Sequence, residues 1–146
     1  MKTVALISCT KSKRTEECEA RLLYDKSPKF NKSLEFAQTQ ADEIFILSAK
    51  YGLVSLNTHL KPYNKTLVGK RKNEKSAWGK KVLRQITELF DVNTTMFIIL
   101  AGADYFAPLQ NYLPHKQIPL LGLRQGESLA RLNELLNKNP IRRPAQ

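Results

Sequence analysis

The chain has 146 residues, enough for one domain with a sizeable core, and its 42% hydrophobic and 25% charged content excludes wholesale disorder. No apolar run approaches the roughly 20 residues of a membrane span. Charge is the uneven quantity: 24 Lys and Arg against 13 Asp and Glu give +11, which points away from basic partners and towards anionic ones such as nucleic acid or nucleotides.

The first element is an apolar strand over residues 3–8. It begins almost at the N-terminus, without the long apolar region and cleavage site of a secretory signal. Two cysteines, Cys9 and Cys18, are too few for a disulfide scaffold and lack metal-ligand spacing, so a cytoplasmic chain with free thiols and no metal is expected. The strand runs into Ser8-Cys9-Thr10-Lys11-Ser12-Lys13-Arg14. Ser27-Pro28 then starts a helix whose Phe30, Leu34, Ala37 and Ala41 share a face. A second buried strand, 43–48, exits into Ser48-Ala49-Lys50-Tyr51-Gly52.

Residues 61–84 hold nine basic side chains and one acid, Glu74, a local +8. Lys61, Lys65, Lys70, Arg71, Lys72 and Lys75 are its candidates for contact with a nucleic-acid backbone; a solvated lysine-rich face is the plainer alternative. Trp78, Val82, Ile86 and Leu89 repeat at helical spacing, predicting a helix over 72–90 with Trp78 packed rather than base-stacking. The third strand, 95–101, exits into Gly102-Ala103-Asp104-Tyr105, and a weaker fourth surrounds Gln117-Ile118. A short helical face at Tyr105, Leu109 and Tyr112 precedes a final helix through Leu129, Leu132, Leu135 and Leu136. Residues 1–138 thus form a single domain, and 139–146, with two prolines, a flexible tail.

Strands alternating with helices predict a three-layer α/β fold with a mostly parallel central sheet of about four strands. Ligands of such sheets bind beyond the carboxyl ends of the strands, so the three exits should converge on one edge. They would bring together the thiol of Cys9, the hydroxyls of Ser8 and Thr10, the cations Lys11, Lys13, Arg14 and Lys50, and the carboxylate of Asp104. Tyr51 and Tyr105 add phenols. Each has a plain structural role as well. The hydroxyls can close a turn, Gly52 and Gly102 can serve backbone geometry, Asp104 can cap a helix and Cys9 can simply pack. Lysines beside Cys9 would favour its thiolate. No histidine is an obvious base, since His59 and His115 lie in loops. The glycine patterns of phosphate loops and dinucleotide folds are absent from the sequence, so no cofactor is expected.

The motifs ISCTKSK, LLYDKSPKF, ILSAKYGLV, KPYNKTL, AGADY and PLLGLRQGESLARL occur in that order. They resemble those of an uncharacterised bacterial and phage family related to the YaaA peroxide-stress proteins. That resemblance implies an association with DNA binding and protection, and in some relatives with 7-deazaguanine DNA modification. Carried over by motif, it implies site positions at Cys9, Lys11, Lys13, Tyr24, Lys50, Tyr51, Tyr63, Gly102, Tyr105 and Glu127. Asn64 stands where that family commonly has an acid. The expected function is an enzyme acting on a nucleotide or a base in nucleic acid. It would work at the glycosidic bond, or by addition of Cys9 to an electrophilic base substituent. Cys9, Lys50, Asp104 and Tyr63 would be the catalytic groups. The alternative is a non-catalytic DNA- or nucleotide-binding stress-response protein.

Overall fold

The computed structural model describes residues 1–138, and the tail expected over 139–146 lies outside the described residues. Three continuous apolar runs become the inner strands: β1 (Lys2–Ser8), and two that follow later in the chain. After β1 come a two-residue strand β2 (Cys18–Glu19), the turn-length helix α1 (Ala20–Leu23) and α2 (Pro28–Gln40). Ser27 caps α2 by accepting the Phe30 N–H at 3.2 Å, and Pro28 supplies the first helical φ. Next are β3 (Glu43–Ser48), β4 (Gly52–Ser55), β5 (His59–Leu60) and α3 (Lys72–Leu89). The chain then forms β6 (Thr95–Leu100), α4 (Ala103–Gln110), β7 (Lys116–Gln117) and α5 (Gln125–Lys138).

The main sheet has five strands in the order β4-β3-β1-β6-β7. β3, β1, β6 and β7 are parallel and β4 is antiparallel, so the mostly parallel sheet gains one strand over the expected four. Val4 to Ile7 of the central β1 are at most 1% exposed, as a strand covered on both faces must be. The connection β1–α2–β3 steps one way along the sheet, whereas β3–α3–β6 steps back past β1. Right-handed crossovers therefore put α2 and α3 on opposite faces. α5 packs on α2 and α4 packs on α3, completing three layers. Because the chain leaves β1 and β6 in opposite directions, a crevice opens beyond their carboxyl ends.

The additional strand β4 arises from a tight reversal after β3. Ser48 pairs with Gly52, whose φ of +77° lies in the left-handed region that glycine adopts without strain. α3 holds this edge: Gln85 Oε1 accepts the Leu53 N–H at 2.8 Å, and its amide donates to the Tyr51 carbonyl at 3.3 Å. The stretch between β1 and α2 and the stretch between β3 and α3 are also tied together. β2 pairs antiparallel with β5 in a separate two-stranded ribbon. Among the described residues, no helix is long and apolar enough to cross a membrane.

Candidate functional site

A cavity of about 500 Å³ fills the crevice beyond β1 and β6. β1 and its exit contribute Ser8, Cys9, Thr10, Lys11 and Lys13, and the β6 exit contributes Gly102, Asp104 and Tyr105. The start of α2 adds Lys29, Phe30 and Ser33, and the loop before α3 adds Asn64, Lys65, Thr66 and Val68. Ile7, Leu100, Phe30 and Val68 give it an apolar part. The polar groups gather around that surface, as in small-molecule sites. Gly102 is the N-cap of α4, with ordinary extended backbone and open space where a side chain would sit.

Cys9 is buried and its thiol donates to Tyr105 Oη at 3.5 Å. The same phenolic oxygen accepts the Leu67 N–H at 3.3 Å, which anchors the loop that lines the cavity. Burial, with Cys9 alongside, pushes the Tyr105 phenol up to about 12, so it stays neutral and can donate or accept at physiological pH. Trp78 packs edge-on against the Tyr105 ring, with centroids 5.5 Å apart, and donates its indole N–H to the Ser48 carbonyl at 2.9 Å. Trp78 is therefore a packing residue, as its helical spacing predicts. Asp104 forms an ion pair with Lys75 at 2.6 Å through Oδ1.

Behind this wall lies a row of hydroxyls. Ser48 Oγ accepts the N–H groups of Lys50 and Tyr51 at 3.2 and 3.0 Å, and its proton goes to Tyr63 Oη at 2.8 Å. Tyr63 Oη and Tyr24 Oη are 2.7 Å apart. Burial raises both phenols well above their ordinary value. Tyr63 is thereby a neutral hydrogen-bonding group that joins the two long loops, and neither Tyr24 nor Tyr63 lines the cavity. Lys13 connects the two regions: it lines the cavity, and its ammonium sits 4.5 Å from the centroid of the Tyr63 ring.

The β3 exit does not join the other two. Its reversal into β4 carries Lys50 to an exposed position, with Nζ 5.3 Å from the Tyr51 ring centroid, and Tyr51 packs edge-on against Tyr63. Gly52 serves the β3–β4 reversal. Arg14 is engaged by Asp25 through both guanidinium and carboxylate forks, outside the cavity lining. Glu127 accepts the Arg124 N–H at 2.9 Å at the exposed start of α5. Of the basic stretch, Lys65 lines the cavity and Lys75 reaches it through Asp104, whereas Lys61, Lys70, Arg71 and Lys72 are exposed outside it.

Lys29 and Ser33 also line the cavity, and neither is among the candidates that the sequence motifs single out. Their spacing of four after Pro28 puts them on one face of α2, and that spacing was the available signal. The fold and the site together define a three-layer α/β protein with a cation-lined cavity at the reversal point of its sheet. Over residues 4–134 the chain belongs to the Family of unknown function (DUF6884). No curated protein and no solved structure matches it.

Proposed function

We propose that this protein is an enzyme acting on a nucleotide, at the base or its glycosidic bond. The observation that carries the reading is the lining of the cavity. A volume of about 500 Å³ suits a mononucleotide, and one wall presents Cys9 and Asp104 while lysines supply the positive charge. In a glycosidic reaction, Asp104 Oδ2 takes a proton from the attacking water. The C1′–N bond breaks, and its electron pair leaves with the base. The other chemistry this wall allows is addition of Cys9 to an unsaturated carbon–nitrogen group on the base: the S–C bond forms as one carbon–nitrogen π bond breaks, and the thiol proton passes to that nitrogen. Lys50, Tyr63 and Tyr24 take no direct part in either scheme, because they do not line the cavity.

The test is binding and turnover of nucleoside 5′-monophosphates, followed by calorimetry and by chromatography of released or altered base. Wild type is expected to bind and to turn over at least one of them. Asp104→Asn should lower turnover about 10²–10⁴-fold while changing affinity little, if the glycosidic scheme holds. Cys9→Ser should do the same under the addition scheme. Binding that supports no turnover in wild type would favour the non-catalytic alternative, and no binding at all would remove the nucleotide reading in both its catalytic and non-catalytic forms.

A further inference from the structure

Four lysines line the cavity and none is in an ion pair among the described residues; Lys11 and Lys65 are exposed, whereas Lys13 and Lys29 are not. Lys13 makes one weak contact, to the Lys11 carbonyl at 3.4 Å, and lies over the Tyr63 ring. Lys29 makes no ion pair with any described residue. Both are half-buried, and burial lowers the pKa of each: at Lys29 nothing opposes it, and at Lys13 the neighbouring Cys9 offsets it only in part. Among the described residues, Asp104 is the one carboxylate on the cavity wall, and Lys75 already holds it. Asp25, the acid in the loop before α2, is held by Arg14.

Two further observations place the missing charge. Ser33 is only 1% exposed, lines the cavity, and its hydroxyl makes no protein hydrogen bond among the described residues. Lys29 sits in the first turn of α2, a helix of 13 residues whose positive end favours an anion there. We propose that Lys13, Lys29 and Ser33 form a phosphate subsite that takes a phosphate monoester dianion at the N-terminal turn of α2. Two cations and a helix terminus balance a double charge, whereas the diester inside a strand brings a single one. The inference deepens the nucleotide reading and rests on it for the rest of the ligand. Its consequence is that the substrate is a free nucleotide carrying a terminal phosphate.

The probes are inorganic phosphate, dimethyl phosphate as the diester, and guanosine with its 5′-monophosphate, titrated calorimetrically into the intact protein. Guanosine 5′-monophosphate should bind more tightly at about pH 7.5 than at about pH 5.5, because the second proton of a phosphate monoester leaves near 6. Dimethyl phosphate should bind at least tenfold more weakly than inorganic phosphate at the higher pH. Lys29→Gln and Lys13→Gln should each weaken phosphate at least tenfold. Lys32→Gln, the same charge change elsewhere on α2, should not. In phosphate-free buffer, Lys29→Gln should melt at or above the wild-type temperature, since it removes a half-buried charge that has no partner. A lower melting temperature would mean that Lys29 is already satisfied within the protein, and the inference would fall.

Equal phosphate affinity in wild type and both cavity variants, no phosphate binding, or equal binding of the diester would also overturn it. The two readings separate cleanly. If the monophosphate binds no tighter than phosphate, the nucleotide reading fails and the subsite stands. If the monophosphate binds a Lys13→Gln/Lys29→Gln double variant as well as wild type, the subsite fails and the nucleotide reading stands.

Discussion

Tyr105 is the phenol shared by the cavity, the thiol and the core. Its oxygen accepts from Cys9 and from the Leu67 N–H, and its ring lies against Trp78. Ionising it would put an anion where water is scarce, which is why its pKa rises to about 12. The unfolded chain loses the same proton near pH 10. The folded state therefore holds the proton more tightly. The associated stability is complete below about pH 10 and is lost as pH rises through about 12, on the order of 2 kcal/mol in all. Urea midpoints should fall between about pH 10 and 11.5 in wild type, and less steeply in Tyr105→Phe. Tyr24 and Tyr63, also raised by burial, keep part of the slope in the variant. Identical slopes would show that the Tyr105 phenol is not desolvated. At neutral pH the variant should lose about 1–2 kcal/mol, because the Leu67 N–H is left without its acceptor.

Helices α3 and α4 meet where Gly79 faces Pro108. A Cβ on Gly79 would lie 2.8 Å from the Pro108 Cβ and 2.9 Å from its carbonyl oxygen. Helix propensity alone predicts that Gly79→Ala stabilises by roughly 1 kcal/mol. Against that stands overpacking, typically about 1–3 kcal/mol, and here the neighbour is a proline ring and backbone that cannot rotate away. We expect a net loss of about 1–2 kcal/mol in urea unfolding; a net gain would mean that α4 moves aside freely. This contact also illustrates which parts of the fold are legible locally. β1, β3 and β6 read directly, because strands buried on both faces must be continuously apolar. Ser27-Pro28 likewise marks the start of α2. β4 escaped because four residues after a sharp reversal carry too little periodicity, and the Gln85 side chain that pins them is distant in sequence. The β2–β5 ribbon pairs residues about forty positions apart, with two residues in each strand. Gly79 is similar: its sequence neighbours reveal a weak helix position, and only the approach of α4 reveals why.

At the scale of the molecule, the site was half legible. A parallel sheet gathers strand exits at one edge, and that rule correctly joined Cys9, Lys11 and Lys13 to Gly102, Asp104 and Tyr105. It misplaced Lys50, because the rule assumes a helix after β3 and the chain instead turns back into β4. It does not reach Lys29, which enters the cavity from the first turn of α2 and not from a strand exit. The same division separates two kinds of positive charge. Lys13 and Lys29 are half-buried in the cavity, whereas Lys70, Arg71 and Lys72 stand in solvent at the start of α3. Solvent-exposed cations bind a polyanion by releasing its counterions, without a shaped site, and their effect is lost within a Debye length of about 10 Å at 0.1 M salt. Double-stranded DNA should therefore bind the +11 chain at low salt. Its affinity should fall about 10³-fold or more between 50 and 200 mM if six or more phosphates are contacted. Reversing all three charges, Lys70→Glu, Arg71→Glu and Lys72→Glu, should weaken that binding and flatten its salt slope by roughly three. It should leave mononucleotide affinity unchanged, and Lys29→Gln should do the opposite. Fluorescence anisotropy with a labelled duplex, beside calorimetry with the monophosphate, reads both effects. If Lys29→Gln lowered duplex affinity as much as the triple reversal, the two charge sets would be one surface and the cavity would open onto the polymer.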